Sequence, residues 1–446
     1  MSKENNCYWS ADGSHLPNVH AHTKVKHRVL ENYVQNWIET LTGHGAHGAK
    51  TVTLIDGFCG GGMYKDADGL WEGSSIRMLQ KVQEGLDNVR LRKPWHELDA
   101  EFIFIDNKKA HTKCLELQLK DAGFEHLLVN GKCKILTGRF EKHLEYCLNR
   151  VKERGGYSFF FLDPFGLDIS PSIVREILRL GRSEVLFNHM LSGLVRILKR
   201  REDRYKNFFE DFEADEYYRD IADQDDFRLK QAYLRNEALN IFRTEGEAKF
   251  AHTFALMSNP KSVLYYLIHL SGNPTALSVM RNTTWLQNNL EYQFHYGVYG
   301  LGYRTLDDIA NNLTIYNIEE QNVRLCVDRL ANQLMEFITE EGDTAFNKLY
   351  CSTIQENPAT KQLYFQAINL LQDEGDLIAF REGKHTDSRR IENKDIIKRA
   401  RFKQTFLLDN QYKQKSAKQK KSRVNSQKSE KVIVIPDQEQ LKLLDL

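Results

Sequence analysis

The chain has 446 residues but only seven cysteines: Cys7, Cys59, Cys114, Cys133, Cys147, Cys326 and Cys351. The number is odd and no two form a C-x-x-C pair. A disulfide framework and the standard zinc modules are therefore excluded, no metal site is expected, and a reducing, cytoplasmic setting fits. No apolar stretch approaches the ~20 residues that span a bilayer, so no membrane role is expected. Met1-Ser2-Lys3-Glu4-Asn5-Asn6 lacks the apolar core of a signal peptide. Net charge is also scarce, at +1, so global charge selects no partner. Locally the picture differs. Residues 202–226 are acidic, whereas Lys413 to Lys431 holds eight Lys or Arg against one acid, Glu430. No internal repeat is evident, and the length exceeds one ordinary core, so two or three domains are expected.

What is present is a buried strand that ends in an acid. Phe159-Phe160-Phe161-Leu162 runs into Asp163-Pro164-Phe165-Gly166. An apolar run of that kind reads as a parallel strand covered on both faces. In open α/β sheets the ligand crevice lies at the carboxyl ends of the strands. A second run, Thr51 to Ile55, leads into Asp56-Gly57-Phe58-Cys59-Gly60-Gly61-Gly62. A third, Glu101 to Ile105, ends in Asp106.

The patterning predicts strands at 51–55, 101–106, 133–137, 158–162 and 183–188, alternating with helices at 24–41, from Ser74-Ser75, at 111–122, at 140–151 and from Ser170-Pro171. Residues 249–257 and 262–270 predict an antiparallel hairpin. This order predicts an α/β Rossmann-like methyltransferase-type sheet with an antiparallel edge hairpin, over residues 1–290, interrupted by a helical, charged insertion at about 195–247. Helices at 323–338, 344–354 and 360–373, with Leu377–Phe380 pairing with 402–407 as a wing, predict a winged-helix-like region within 291–410. Residues 411–446 form a basic tail of disordered composition.

The glycine loop carries no Lys-Ser/Thr of a Walker motif, which excludes a P-loop nucleotide site. Glycines let the backbone approach a ligand closely, which suits a sulfonium nucleoside, S-adenosylmethionine. Phe58, Gly60 and Gly62 are the loop's candidate contacts, Asp56 orients the loop or reaches the methionine amine, and Asp106 accepts from the ribose hydroxyls. Gly138-Arg139-Phe140 lacks an Asp for the adenine. On the substrate side, Asp163 and the Pro164 carbonyl can accept the two N–H groups of an exocyclic amine and localise its lone pair, while Phe165 stacks on the base. A target within a duplex must first be flipped out. His15, His20, His22 and His27 match no metal-ligand spacing and read as solvated or capping residues. Cys59 reads as a small side chain rather than a nucleophile.

These residues resemble the three-Cys-motif partner family over roughly 20–410. The matching runs are His22-Thr23-Lys24-Val25-Lys26-His27, Ile55 to Phe58, Phe102 to Asp106, Phe161 to Gly166, and Val263 through Met280 with Trp285. The resemblance implies a methyltransferase-like domain, a winged-helix-like region and a radical-SAM-like partner protein carrying the cysteines. Asp163-Pro164-Phe165-Gly166 also looks like the motif of tRNA guanine-N2 dimethyltransferases, so guanine N2 enters as a target, in RNA or DNA. Two functions are thus expected as alternatives: an amino-group methyltransferase acting on a nucleic-acid base, or a non-catalytic nucleic-acid-binding subunit of the partner.

Overall fold

The computed structural model describes residues 8–43, 48–164, 169–190, 227–259, 262–290, 293–295, 298–303, 318–386 and 389–400. Phe165, Gly166, the strand expected at 402–407, the tail and most of the charged insertion lie outside the described residues.

The main sheet is built on β1 (Thr51–Asp56), β4 (Asp99–Asp106), β5 (Cys133–Thr137), β6 (Tyr157–Leu162) and β7 (Ser183–His189). They lie parallel in the order β5-β4-β1-β6-β7. Next to β7 comes β9 (Ser262–Ser271), antiparallel to it, and then β8 (Phe250–Asn259), antiparallel to β9. One reversed strand inserted beside the last parallel one is the arrangement of a methyltransferase-like α/β sheet. The hairpin is not the edge. Strands β10 (Gln293–His295) and β11 (Val298–Tyr303) follow, with β11 parallel to β8, so the sheet runs on past residue 290.

Alternation along the strands explains why the apolar runs are unbroken. Val52, Leu54, Phe102, Phe104, Phe159 and Phe161 point into one core, together with α1 (Ala21–Thr42) and α2 (Ser74–Arg90). Ile55, Ile103, Ile105, Phe160 and Leu162 point into the other, against α5 (Phe140–Arg154), α6 (Pro171–Leu178) and α7 (Phe227–Thr244). The remaining helices before this point are α3 (Lys109–Asp121) and the short α4 (Glu125–Val129). Ser170 caps α6 as expected, accepting from Ile173 N–H. Ser74 does not cap α2. Gly73 holds the cap position, and the Ser74 hydroxyl is spent on Asp56.

One element escapes the sequence pattern. Strands β2 (Met63–Asp66) and β3 (Gly69–Glu72) form a hairpin between the glycine loop and α2. The N-terminal segment pairs with it, Val19 N–H to Lys65 C=O at 2.8 Å and Lys65 N–H to Pro17 C=O at 2.8 Å.

The second module holds α9 (Ile318–Glu341), α10 (Phe346–Thr353) and α11 (Lys361–Glu374), with a sheet ordered β12-β15-β13-β14. These are Thr344–Ala345, Ile396–Arg399, Leu377–Arg381 and Lys384–Thr386. Among the described residues β13 pairs with β14 and β15, and Thr344 begins a strand rather than a helix. Gly375 ends α11 in the left-handed region, at φ +82°. Helix α8 (Pro274–Gln287) ties this module to the sheet. Its buried Arg281 donates to the carbonyls of Ile354 and Ala359, and Trp285 Nε1 donates to Pro358 C=O at 2.8 Å. The Gln355 amide pairs with both backbone groups of Ala251 on β8.

Candidate functional site

Three carboxylates share the carboxyl edge of adjacent strands. Asp56 stands opposite Phe104 on β4 and Phe161 on β6. Asp106 and Asp163 thus sit two residues further along their own strands, on either side of the Asp56 loop.

Asp56 is fully buried. Its Oδ2 accepts from the Ser74 hydroxyl at 2.6 Å and its Oδ1 from Phe58 N–H at 3.1 Å. Both oxygens hold the loop to the start of α2. Burial raises the carboxyl from 3.8 to about 7, against the pull of those two hydrogen bonds. The folded chain therefore keeps a proton that the unfolded chain releases. Its contribution to stability is complete below the ordinary 3.8 and is lost as the pH rises through about 7. Asp56→Asn keeps an acceptor for Phe58 and removes the titration. Its stability relative to wild type is expected to improve between about pH 5 and about pH 8, by on the order of 2 kcal/mol. Urea midpoints at the two pH values measure this, and an unchanged difference would place the titrating group elsewhere.

Gly60 and Gly62 have φ of +60° and +82°, a conformation that L side chains rarely adopt. A Cβ at Gly60 would also meet the Trp9 indole at 3.0 Å. Trp9 walls the loop from outside. It is buried, donates to Met63 C=O and packs edge-on against His111 at 4.8 Å. Phe58 is half-buried and faces Phe140. Cys59 is buried, and burial, then the Asp56 charge, pushes its thiol well above the ordinary range, so it is no nucleophile.

Asp106 closes the loop from the neighbouring strand. Its Oδ2 accepts from Gly60 N–H at 3.2 Å and its Oδ1 from Lys108 N–H at 2.9 Å. His111 Nδ1 lies 3.0 Å from Oδ1 but is not aligned for a hydrogen bond. A carboxylate oxygen accepts two hydrogen bonds, so Oδ2 keeps one lone pair for a ligand hydroxyl.

Asp163 follows β6 and is bound from two directions. Asn188 lies beside it because Leu162 pairs with Phe187, and its Nδ2 donates to Oδ1 at 3.0 Å. The buried ammonium of Lys26 forms an ion pair with Oδ2. Lys26 comes from the first turns of α1, and its Nζ lies 5.7 Å from the centroid of the Tyr265 ring. Tyr265 donates to His22 C=O at 3.3 Å, and burial, then the Asp163 charge, holds its phenol well above the ordinary range. Pro164 is described and buried.

The N-terminal histidines divide. His15 and His20 are exposed, as expected. His27 is buried and accepts from Trp71 Nε1 at 3.0 Å, so it is a core residue rather than a solvated one. Burial, then Lys26, lowers His22 to about 4 and keeps it neutral. Among the described residues no cluster could hold a metal, and no helix is long and apolar enough to cross a membrane.

Lys26 and Tyr265 lie in the runs that carry the family resemblance but were given no role there, and Asn188 and Trp9 were not singled out. For Lys26 a signal existed: it lies four residues after His22 on one helix face. For Asn188 the signal was its place at the end of the strand after β6. Nothing local marked Trp9.

A search of curated protein sequences gave no match. Among solved structures, the chain is similar to an O-methyltransferase from Bacillus cereus in complex with SAH, at 10% identity and TM-score 0.27, covering 54% of this chain and 80% of that one. It is similar to the METTL16 MTase domain at 12% identity and TM-score 0.26, over 53% and 65%. A putative class I S-adenosylmethionine-dependent methyltransferase from Listeria monocytogenes matches at 9% identity and TM-score 0.26, over 68% and 74%. The sheet assignment rests on its own strand order rather than on these likenesses. Residues 304–383 match the family model of the GMT-like wHTH domain, so the chain joins a methyltransferase-like α/β sheet to a winged helix-turn-helix of that kind.

Proposed function

We propose that the chain is an S-adenosylmethionine-dependent methyltransferase acting on an exocyclic amino group of a nucleic-acid base, with guanine N2 as the first target to test. The observation that carries this reading is the set of Asp106, the Gly60–Gly62 loop and Asp163 on three adjacent strand ends. The residues fit the nucleoside on two counts. The loop turns with positive φ at Gly60 and Gly62, and Asp106 keeps an acceptor for a ribose hydroxyl. Asp56, fully buried and bonded to Ser74 and Phe58, orients the loop.

When bound, the cofactor supplies the activated methyl group. Asp163 accepts from the target amine and draws its lone pair out of the ring, while the ion pair with Lys26 orients the carboxylate. Pro164 fixes the backbone directly after Asp163. Orientation is the main contribution, and no covalent intermediate with the chain is required. Nucleic acid would be gathered by the winged helix-turn-helix and the basic tail. Helix α11 itself carries a single Lys, whereas Lys384, Arg389, Arg390 and Lys394 are exposed on and beside the wing.

Calorimetry with S-adenosylmethionine, followed by methyl-label transfer onto RNA and DNA pools, tests the reading. Micromolar binding and label on a base are expected. No binding by the intact chain would instead favour the nucleic-acid-binding subunit of a three-Cys-motif partner, and adding that partner to the assay distinguishes a required subunit from an independent enzyme.

A further inference from the structure

We propose that Lys26, Asp163 and Asn188 form a recognition row for a guanine edge, with Lys26 reading the ring carbonyl. The inference rests on the amino-methyltransfer reading and adds its base specificity. Lys26 is 5% exposed, yet among the described residues its ammonium meets one hydrogen-bond acceptor, Asp163 Oδ2. An ammonium has three donors, and the face of Tyr265 stabilises the charge without accepting a conventional hydrogen bond. Unspent donors in a buried place are costly unless something accepts from them.

Asn188 supplies the complementary feature. Asp163 can only accept, so it fixes the Asn188 amide with Nδ2 towards the carboxylate. The Asn188 carbonyl oxygen is then left buried with no partner among the described residues. Read in order, the row offers a donor at Lys26, an acceptor at Asp163 and a second acceptor at Asn188. The pairing edge of guanine carries the reverse: the O6 acceptor for Lys26, then N1–H and one N2–H, which the two oxygens of Asp163 span, with the second N2–H turned to Asn188. Adenine and cytosine present an amine beside ring acceptors, and those lone pairs would face the oxygens of Asp163 and Asn188. A flipped-out base is read on this edge.

Single-stranded oligonucleotides with one guanine or one 2-aminopurine in the same context separate the atoms. The analogue keeps the amine and lacks both O6 and N1–H. In competition binding to the intact chain, guanine is expected to bind about tenfold or more tightly than 2-aminopurine. Lys26→Gln should narrow that preference below about threefold, and Lys26→Arg should retain most of it. Equal binding of the two bases by wild type overturns the proposal and needs no variant, so a Lys26→Gln chain that fails to fold does not shelter it. A preference that survives intact in a folded Lys26→Gln chain also overturns it. A guanine preference without methyl transfer to any pool would support the row while removing the transfer reading.

Discussion

Asp163→Ala is expected to abolish methyl transfer, with a loss of at least about 100-fold in kcat, and to leave S-adenosylmethionine affinity within about threefold. The first effect follows from the proposed role of Asp163 as acceptor at the target amine. The second follows from position, because Asp163 stands on the far side of the Asp56 loop from Asp106. A stability cost accompanies both. Lys26 is buried, with its ammonium paired to this carboxylate, and without it the charge has no counter-ion among the described groups around it. Removing one partner of a buried pair costs about 3–5 kcal/mol, and the quarter exposure of the Asp163 side chain brings the expectation to about 2 kcal/mol. Asp163→Asn separates the terms, since it keeps an acceptor oxygen but not the charge. Transfer rates, calorimetry and urea unfolding on the same three proteins measure the three effects. Transfer within threefold of wild type in a folded Asp163→Ala chain would remove the site assignment.

Glu184→Ala is expected to cost about 3 kcal/mol or more in urea unfolding, the largest stability effect among the single substitutions considered. Glu184 is buried at the start of β7, at the end of the sheet opposite the candidate site. Its Oε1 accepts from Trp37 Nε1 at 2.9 Å, and its Oε2 takes the Tyr33 hydroxyl and lies 3.2 Å from His269 Nε2. Burial, then the Glu184 charge, holds the Tyr33 phenol well above the ordinary range, so it stays a donor. One carboxylate thus joins α1, β7 and β9, and its loss leaves the buried Trp37 N–H without its acceptor, while the Tyr33 hydroxyl keeps His269 Nε2 at 3.0 Å. Glu184→Gln keeps one acceptor and should lose less. An Ala variant within 1 kcal/mol of wild type would show that the surrounding apolar packing, not the carboxylate, holds α1 in place.

The two carboxylates differ in how legible they were. Asp163 was visible because Phe159–Leu162 is an apolar run that must be buried on both faces, and an acid directly after it has to lie at a strand end. Glu184 was read only as the second residue of a strand. Its importance comes from Tyr33, Trp37 and His269, which are 151, 147 and 85 residues away in sequence. The same holds for the wing. Leu377–Phe380 was expected as a strand from its composition, but its observed partners were set by the turn at Gly383, with φ +78°, and by Ile396–Arg399. The hairpin after the glycine loop escaped because Met63–Glu72 is half-exposed and carries no clear alternation.

The sequence by itself determined the alternation of strand and helix, the glycine loop at 57–62, and the acids Asp56, Asp106 and Asp163 at strand ends. Each of these is a local property: backbone φ, side-chain period and the burial demanded by an apolar run are set within a few residues. Only the tertiary structure decided that Asp163 faces Lys26, 137 residues earlier, and that Asp56 is spent on Ser74. The order β5-β4-β1-β6-β7 brings those ends together, and strand order is fixed by crossovers packing on both faces of the sheet, which no short stretch of sequence records.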